Sequence, residues 1–178
     1  MTKLTKSAAL ALVVALFALP ASAATITGSL TYSGNWTLDD GVALGSATSL
    51  AFPANDFDVD GATGDFDGAG ISAGDFGSIA DFDFALSGGP AALLEIAGLT
   101  FTLETVSVTA QTDAFLLLEG TGVITGANIM DTQATFFLSA NVAGPLNVFS
   151  SGITAVPVPG AVWLFASALM ALGIRRRA

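Results

Sequence analysis

The alternation of apolar and polar residues along the body of the chain limits most strongly what the chain can fold into. A two-residue period places the apolar side chains on one face of a β-strand, whereas an amphipathic helix needs a period of about 3.6 residues. The two-residue period is clear at 26–32 and at 99–104, and no amphipathic helical pattern of useful length occurs in the body. Further candidate strands are 115–118, 122–125, 134–138 and 146–149.

Turn residues separate these candidate strands. Clusters of Gly, Asp, Asn and Ser recur at a spacing of roughly 8–12 residues, which is typical of an all-β sandwich or barrel. Val106 and Val108 continue the alternation of 99–104 in the opposite phase, so a bulge or turn is predicted near Glu104 and Thr105. The sequence therefore predicts an all-β fold, either a β-sandwich or a barrel-like single domain, over residues 24–155.

Positive charge is confined to the two ends of the chain. The cationic side chains are Lys3, Lys6, Arg175, Arg176 and Arg177. All 15 carboxylates lie between these two groups, and the body contains no Lys, Arg or His. Nucleic acids are excluded as partners because binding them requires a basic face. The plausible charged partners of the body are cations, with Ca²⁺ first among them.

Catalytic groups are scarce in this composition. The chain contains no His and no Cys, and the body contains no Lys, so a serine nucleophile lacks its ordinary base. A two-carboxylate glycosidase would need two of Glu95, Glu104 and Glu119 to face each other at about 5–10 Å. The sequence identifies no such pair, and a non-enzymatic protein without catalytic residues is predicted.

Residues 1–23 have the parts of a secretory signal peptide. Lys3 and Lys6 form a positive first region, and 7–19 is an apolar run too short to span a membrane comfortably as a permanent helix. Pro20 ends this run, and the small residues at 21–23 supply a cleavage pattern. The chain is therefore predicted to be exported across the inner membrane and cleaved after residue 23.

Residues 156–178 form a second terminal signal. Val156, Pro157, Val158 and Pro159 precede an apolar run at 161–174, and the run is followed by the three arginines. The 14 residues of this run would rise about 21 Å as a helix, short of the roughly 30 Å hydrocarbon core. Arginines directly after an apolar segment favour a cytoplasmic C-terminus, which places the body on the outer side. A short transmembrane helix is predicted, serving as a plain anchor or as a tail that an enzyme removes.

The tail resembles the PEP-CTERM sorting signal of Gram-negative bacteria that make exopolysaccharide. The matching features are the proline pair, the segment 162–165, the small-residue helix and the arginines Arg175, Arg176 and Arg177. Val158 stands where the name of the signal has glutamate. The resemblance implies an exosortase-type processing enzyme as partner and a membrane-anchored intermediate. It also implies a final location at the cell surface or in the extracellular matrix, which is an address rather than an activity.

One segment of the body has acidic residues at the spacing of a metal-binding loop. Residues 56–67 fit the calcium-loop template of the EF-hand, in which alternate oxygens of a looping backbone surround one hard cation. The candidate Ca²⁺ ligands are Asp56, Asp58, Asp60, Ala62 through its carbonyl, and Asp67. No other cofactor is predicted.

A competing interpretation treats the same aspartates as the solvated face of strands whose phenylalanines point to the core. The phenylalanines expected in the core are Phe52, Phe57, Phe66, Phe76, Phe82 and Phe84. The segments on either side of 56–67 hold Pro, Gly and Phe rather than helix formers, which favours this interpretation over an EF-hand.

Together these features predict an exported, non-enzymatic surface or extracellular-matrix protein, sorted by its tail and associated with exopolysaccharide or biofilm. The alternative is a secreted carbohydrate-binding module, stabilised by calcium, whose aromatic residues stack on sugar. Tyr32 and Trp36 are the only aromatic residues of the body other than Phe, and they are candidates both for that stacking and for the core.

Overall fold

The computed structural model describes residues 24–38, 42–54, 56–84, 91–143 and 146–156. The predictions made for residues 1–23 and 157–178 lie outside the described residues. Among the residues described, no helix has the length and apolar character needed to cross a membrane.

Strands make up most of the described chain. In order they are β1 (Ala24–Thr25), β2 (Ser29–Asn35), β3 (Ser49–Leu50), β4 (Asp56–Ala62), β5 (Phe76–Ile79), β6 (Phe82–Asp83), β7 (Ala91–Ile96), β8 (Leu99–Gln111), β9 (Phe115–Gly126), β10 (Ile129–Met130), β11 (Thr132–Ala143) and β12 (Leu146–Ala155). The helical elements in the same ranges are a 3-10 turn (Leu44–Ser46) and the one-turn helix α1 (Asp65–Gly68).

Eight of these strands close into a barrel in the order β11-β12-β2-β4-β5-β7-β8-β9, and β9 pairs with β11 to complete the ring. Every neighbouring pair in the ring is antiparallel. The all-β prediction is confirmed, and of its two alternatives the structure is the barrel. Register shifts between β2 and β4, between β7 and β8, and between β8 and β9 add the local twist that lets a sheet curve and close.

The bulge predicted near Glu104 is confirmed. Leu103 pairs with Gly122 and Thr105 pairs with Thr121, so Glu104 is the extra residue of β8. The two candidate strands 115–118 and 122–125 are instead one strand, β9. Gly120 lies within this strand rather than in a turn. The position needs glycine because the Thr105 carbonyl oxygen occupies the space of a Cβ atom of residue 120. This glycine therefore marks the bulge on the neighbouring strand.

Aromatic side chains fill the barrel. Eight strands leave an interior just wide enough for side chains to fill, and here the ring of Tyr32 lies 4.6 Å from that of Phe57. Phe52 meets Phe149 edge-on at 5.0 Å. The rings in contact with one another are Tyr32, Phe52, Phe57, Phe82, Phe84, Phe101, Phe136 and Phe149.

Glycines on three strands make room for these rings. A Cβ atom at Gly34 would lie 2.8 Å from Cε1 of Phe149, and one at Gly122 would lie 2.7 Å from Cε2 of Phe101. A Cβ atom at Gly77 would overlap the ring of Phe57 in the same way. The large aromatic residues therefore fit because glycines lie beside them on the neighbouring strands.

Both ends of the barrel are covered. At the end where β2 finishes, the Trp36 Nε1 donates to the Val148 carbonyl at 2.9 Å, and Gln111 Nε2 donates to the Leu44 carbonyl at 2.7 Å. At the other end, Asp65 of α1 accepts hydrogen bonds from the backbone N and the hydroxyl of Thr27 at 2.7 and 2.8 Å. Phe66 of α1 is fully buried there.

Candidate ligand-binding surface

The five predicted calcium ligands lie on two different elements. Asp56, Asp58 and Asp60 project outward from β4, Ala62 ends that strand, and Asp67 lies in α1. The loop expected over 56–67 is therefore a strand followed by a one-turn helix. Burial of Phe57 and Val59 on the inner face of the barrel explains this conformation, because it needs the extended, alternating backbone.

An extended strand directs alternate carboxylates side by side. Residues two apart on a strand are about 7 Å apart and their side chains run parallel, whereas a calcium loop turns its oxygens toward one centre. The carboxylate of Asp60 accepts a hydrogen bond from the Ser33 hydroxyl of β2 at 2.9 Å. In the described ranges, no group of three or more acidic side chains could hold a metal ion. This conformation matches the competing interpretation, and calcium binding stays a prediction.

Because β4 holds its carboxylates side by side rather than around one centre, millimolar calcium is expected to leave the melting temperature of the body, residues 24–156, within about 1 °C of its value in chelator. Selective binding of calcium to the native state would instead raise the melting temperature. Differential scanning fluorimetry measures this shift, with Asp58→Asn as the matched variant. A rise of several degrees that Asp58→Asn abolishes would establish the calcium site.

Neither candidate for sugar stacking is accessible. Tyr32 is 0% exposed and Trp36 is 2% exposed, so both belong to the core. Burial raises the pKa of the Tyr32 hydroxyl far above its usual range, and the nearby Ser151 hydroxyl offsets only part of this. Ser151 itself donates to the Phe137 carbonyl at 2.6 Å, and within the described chain the Tyr32 hydroxyl has no partner of good hydrogen-bond geometry.

The three glutamates considered for glycoside hydrolysis are all exposed on the outer wall. Glu95 lies on β7, Glu104 at the bulge of β8, and Glu119 on β9. Side chains on the outer wall of a barrel point away from its axis. These carboxylates therefore do not face each other across a cleft.

Phe76 is the most exposed large hydrophobic residue of the described chain, at 69%. The sequence interpretation placed it in the core with the other phenylalanines of 52–84, which are buried, and for Phe76 that prediction is wrong. The two-residue alternation along β5 shows on which face of the barrel wall Phe76 lies. Ile79 is buried and lies an odd number of residues from Phe76, so the two side chains occupy opposite faces of the strand.

Acidic and neutral polar side chains surround the exposed ring. Asp58 of β4 is paired directly with Phe76. One step along, Ser78 is paired with Asp56 on one side and with Glu95 of β7 on the other. We refer to these six outward residues as the Phe76 surface: Phe76, Ser78, Asp56, Asp58, Glu95 and the neighbouring Asn35.

Phe76 forms a wall of two depressions, one on each side of β5. The first has a volume of about 150 Å³ and is also lined by Asn35, Pro53, Asp56 and Asp58. The second, of about 410 Å³, runs past Ser78 and Glu95 to the turn between β7 and β8. The first depression is the more enclosed and the second is shallow, so a ligand lying across the ring could continue along the wall in either direction.

No side chain of the described residues neutralises the charge of this surface. Within the described ranges the carboxylates of Asp56, Asp58 and Glu95 accept no hydrogen bond, and the body has no cationic side chain. An exposed aromatic ring flanked by free carboxylates suits a ligand with an apolar face and a positive charge. Comparisons with protein-family models, curated proteins and solved structures found no match to the chain.

Proposed function

We propose that this chain is an exported, non-enzymatic surface or extracellular-matrix protein, sorted by its C-terminal tail and associated with exopolysaccharide. The observation that carries the proposal is the contrast between the two faces of the barrel wall. Packed aromatic rings occupy the inside, so a partner must meet the outside, where hydroxyls and carboxylates prevail.

The outer wall supports contact with a hydrated polymer. Ser and Thr occupy outward positions where Lys often lies in other proteins, and they form hydrogen bonds along the wall. The hydroxyls of Thr105 and Thr121 lie 2.7 Å apart between β8 and β9, and those of Ser29 and Thr63 lie 3.0 Å apart. Such groups exchange readily between water and the hydroxyls of a polysaccharide.

The two terminal signals support delivery to the outer side. The signal peptide at 1–23 directs export, and the tail at 156–178 holds the chain in the inner membrane until an exosortase-type enzyme processes it. The body, with its 15 carboxylates, is then displayed at the surface or released into the matrix.

Removal of residues 157–178 is expected to move the protein from the surface and membrane fractions into the soluble exported fraction. Val156 is kept because its backbone N donates to the Gln133 carbonyl at 2.7 Å, so the truncated barrel retains its last contact. Cell fractionation followed by immunoblotting measures the change, and Glu119→Gln serves as a control that leaves the tail intact. Identical distributions for the truncated and full chains would remove the sorting proposal.

Mass spectrometry of the mature C-terminus separates the two roles of the tail. A C-terminus upstream of Arg175 is expected if an enzyme cuts the tail, whereas an intact Ala178 would identify a plain anchor.

A second candidate function, that of a carbohydrate-binding module, is favoured by the exposure of Phe76. Phe76 is the most exposed aromatic residue of the described chain, whereas Tyr32 and Trp36 are buried.

A further inference from the structure

We propose that the Phe76 surface binds a polysaccharide whose sugars carry free ammonium groups. The inference rests on the proposed association with exopolysaccharide and names the chemical class of the polymer and the residues that contact it.

The ring of Phe76 supplies the apolar contact. A sugar presents a face of C–H groups that can lie flat on an aromatic ring, and an ammonium near the same ring is attracted to its negative face. Phe76 is 69% exposed although β5 also carries the fully buried Ile79, so its ring is available without any rearrangement of the core. The depressions on both sides of the ring give room for the sugars that precede and follow the stacked one.

The carboxylates supply the charge. Because Asp58 is directly opposite Phe76, their Cβ atoms are about 5 Å apart, and the diagonal neighbours Asp56 and Glu95 lie at about 7 Å. Three carboxylates thus lie around one ring on two sides, which is the spacing that successive ammonium groups of a polymer can match. Within the described ranges none of them pairs with a cationic side chain, since the body contains no Lys, Arg or His.

The neutral groups favour a sugar over a basic peptide. Ser78 follows Phe76 on the outer face of β5, and Asn35 lines the smaller depression with Phe76, so both can exchange hydrogen bonds with sugar hydroxyls. An anionic polysaccharide would be repelled by the three carboxylates, and a neutral one would gain nothing from them. A polymer also binds several displayed copies at once, so a weak contact at each copy suffices.

The direct test is calorimetric titration of the full chain in detergent micelles. The probes are short oligomers of glucosamine and the matched oligomers of N-acetylglucosamine, at about pH 6, below the pKa of amines of this kind. Salt at about 0.15 M screens long-range attraction to the net negative charge. The glucosamine oligomer is expected to bind at least about tenfold more tightly than its acetylated counterpart, because acetylation removes the ammonium charge.

Matched variants locate the contact. Phe76→Ala is expected to weaken binding of the glucosamine oligomer about tenfold, whereas Phe76→Trp keeps it because the aromatic face remains. Asp58→Asn is expected to weaken it about fivefold. Two exposed residues elsewhere on the wall provide controls, Phe137→Ala and Glu119→Gln, and both should leave the affinity unchanged. Melting temperatures of all variants verify that each is folded.

Several outcomes would overturn the proposal. Equal binding of the acetylated oligomer would remove the role of the ammonium. An equal loss of affinity in Glu119→Gln and Asp58→Asn would mean that the oligomer is attracted diffusely to a polyanion rather than bound at a site. Binding of oligolysine with the same dependence on Phe76 would identify a basic peptide as the partner. None of these results affects cell fractionation of the tail deletion, so the two proposals fail separately.

Discussion

Replacement of Phe149 by alanine is expected to lower the free energy of unfolding by about 3–5 kcal/mol. Phe149 is buried within the aromatic cluster, where its ring lies 5.0 Å from that of Phe52 and 6.2 Å from that of Tyr32. Truncation would leave a cavity beside Gly34, which has no side chain to fill it. The loss therefore combines the transfer free energy of the ring with the cost of the cavity.

Chemical unfolding of the body, residues 24–156, measures this change. The matched control is Phe137→Ala, which removes the same side chain from the outer wall, where it is 46% exposed. We expect that control to cost no more than about 1 kcal/mol, because a partly hydrated ring on the surface leaves no cavity. Similar losses in the two variants would contradict the assignment of Phe149 to a packed interior.

Replacement of Gly122 by alanine is expected to destabilise the body by about 3 kcal/mol, a large effect for one methyl group. Gly122 is on β9 beside the bulge of β8. A Cβ atom there would lie 2.7 Å from Cε2 of Phe101 and would also meet the Thr102 carbonyl oxygen. The ring can shift only against other core residues, and the carbonyl belongs to the paired backbone of β8, so neither can move away easily.

The same substitution at Gly68 provides the control. Gly68 ends α1, and a Cβ atom there would meet no other atom within 4 Å. Alanine at this exposed helical position is expected to be neutral or slightly stabilising, since it reduces the freedom of the unfolded chain. Comparison of the two midpoints of thermal unfolding separates the effect of crowding from that of losing a glycine. A Gly122→Ala variant as stable as Gly68→Ala would show that β8 and β9 can separate at this point.

Local alternation was enough to predict strands but not their closure. The pattern at 99–104 and the change of phase at Val106 predicted both a strand and its bulge, because each depends on neighbours in sequence. Sandwich and barrel remained equal alternatives, since the choice depends on whether β12 pairs with β2 from the other end of the body, and no local pattern encodes that pairing. The position of Gly120 inside a strand could not be predicted for the same reason, because glycine is required there by the Thr105 carbonyl of the neighbouring strand.

The candidate site was predicted only in part for a related reason. The aspartates at 56–60 were singled out as calcium ligands from their spacing alone, and the loop template took no account of the buried Phe57 and Val59 between them. Phe76 was assigned to the core by its residue type. Its exposure follows from the orientation of β5, which is set by Ile79 and by the Phe57 ring that occupies the space beside Gly77.

Closure of the barrel limits how copies of this protein can contact one another at high local concentration. Each of the long strands β8, β9, β11 and β12 is hydrogen-bonded on both sides, so none of them offers a free edge to a second chain. Crowded copies therefore cannot add to one another through the edges of these four strands, and edge pairing is the step that begins fibrous aggregation. Contacts between copies through this part of the wall would be made by side chains, and those that involve charged side chains would weaken and strengthen as the ionic strength changes.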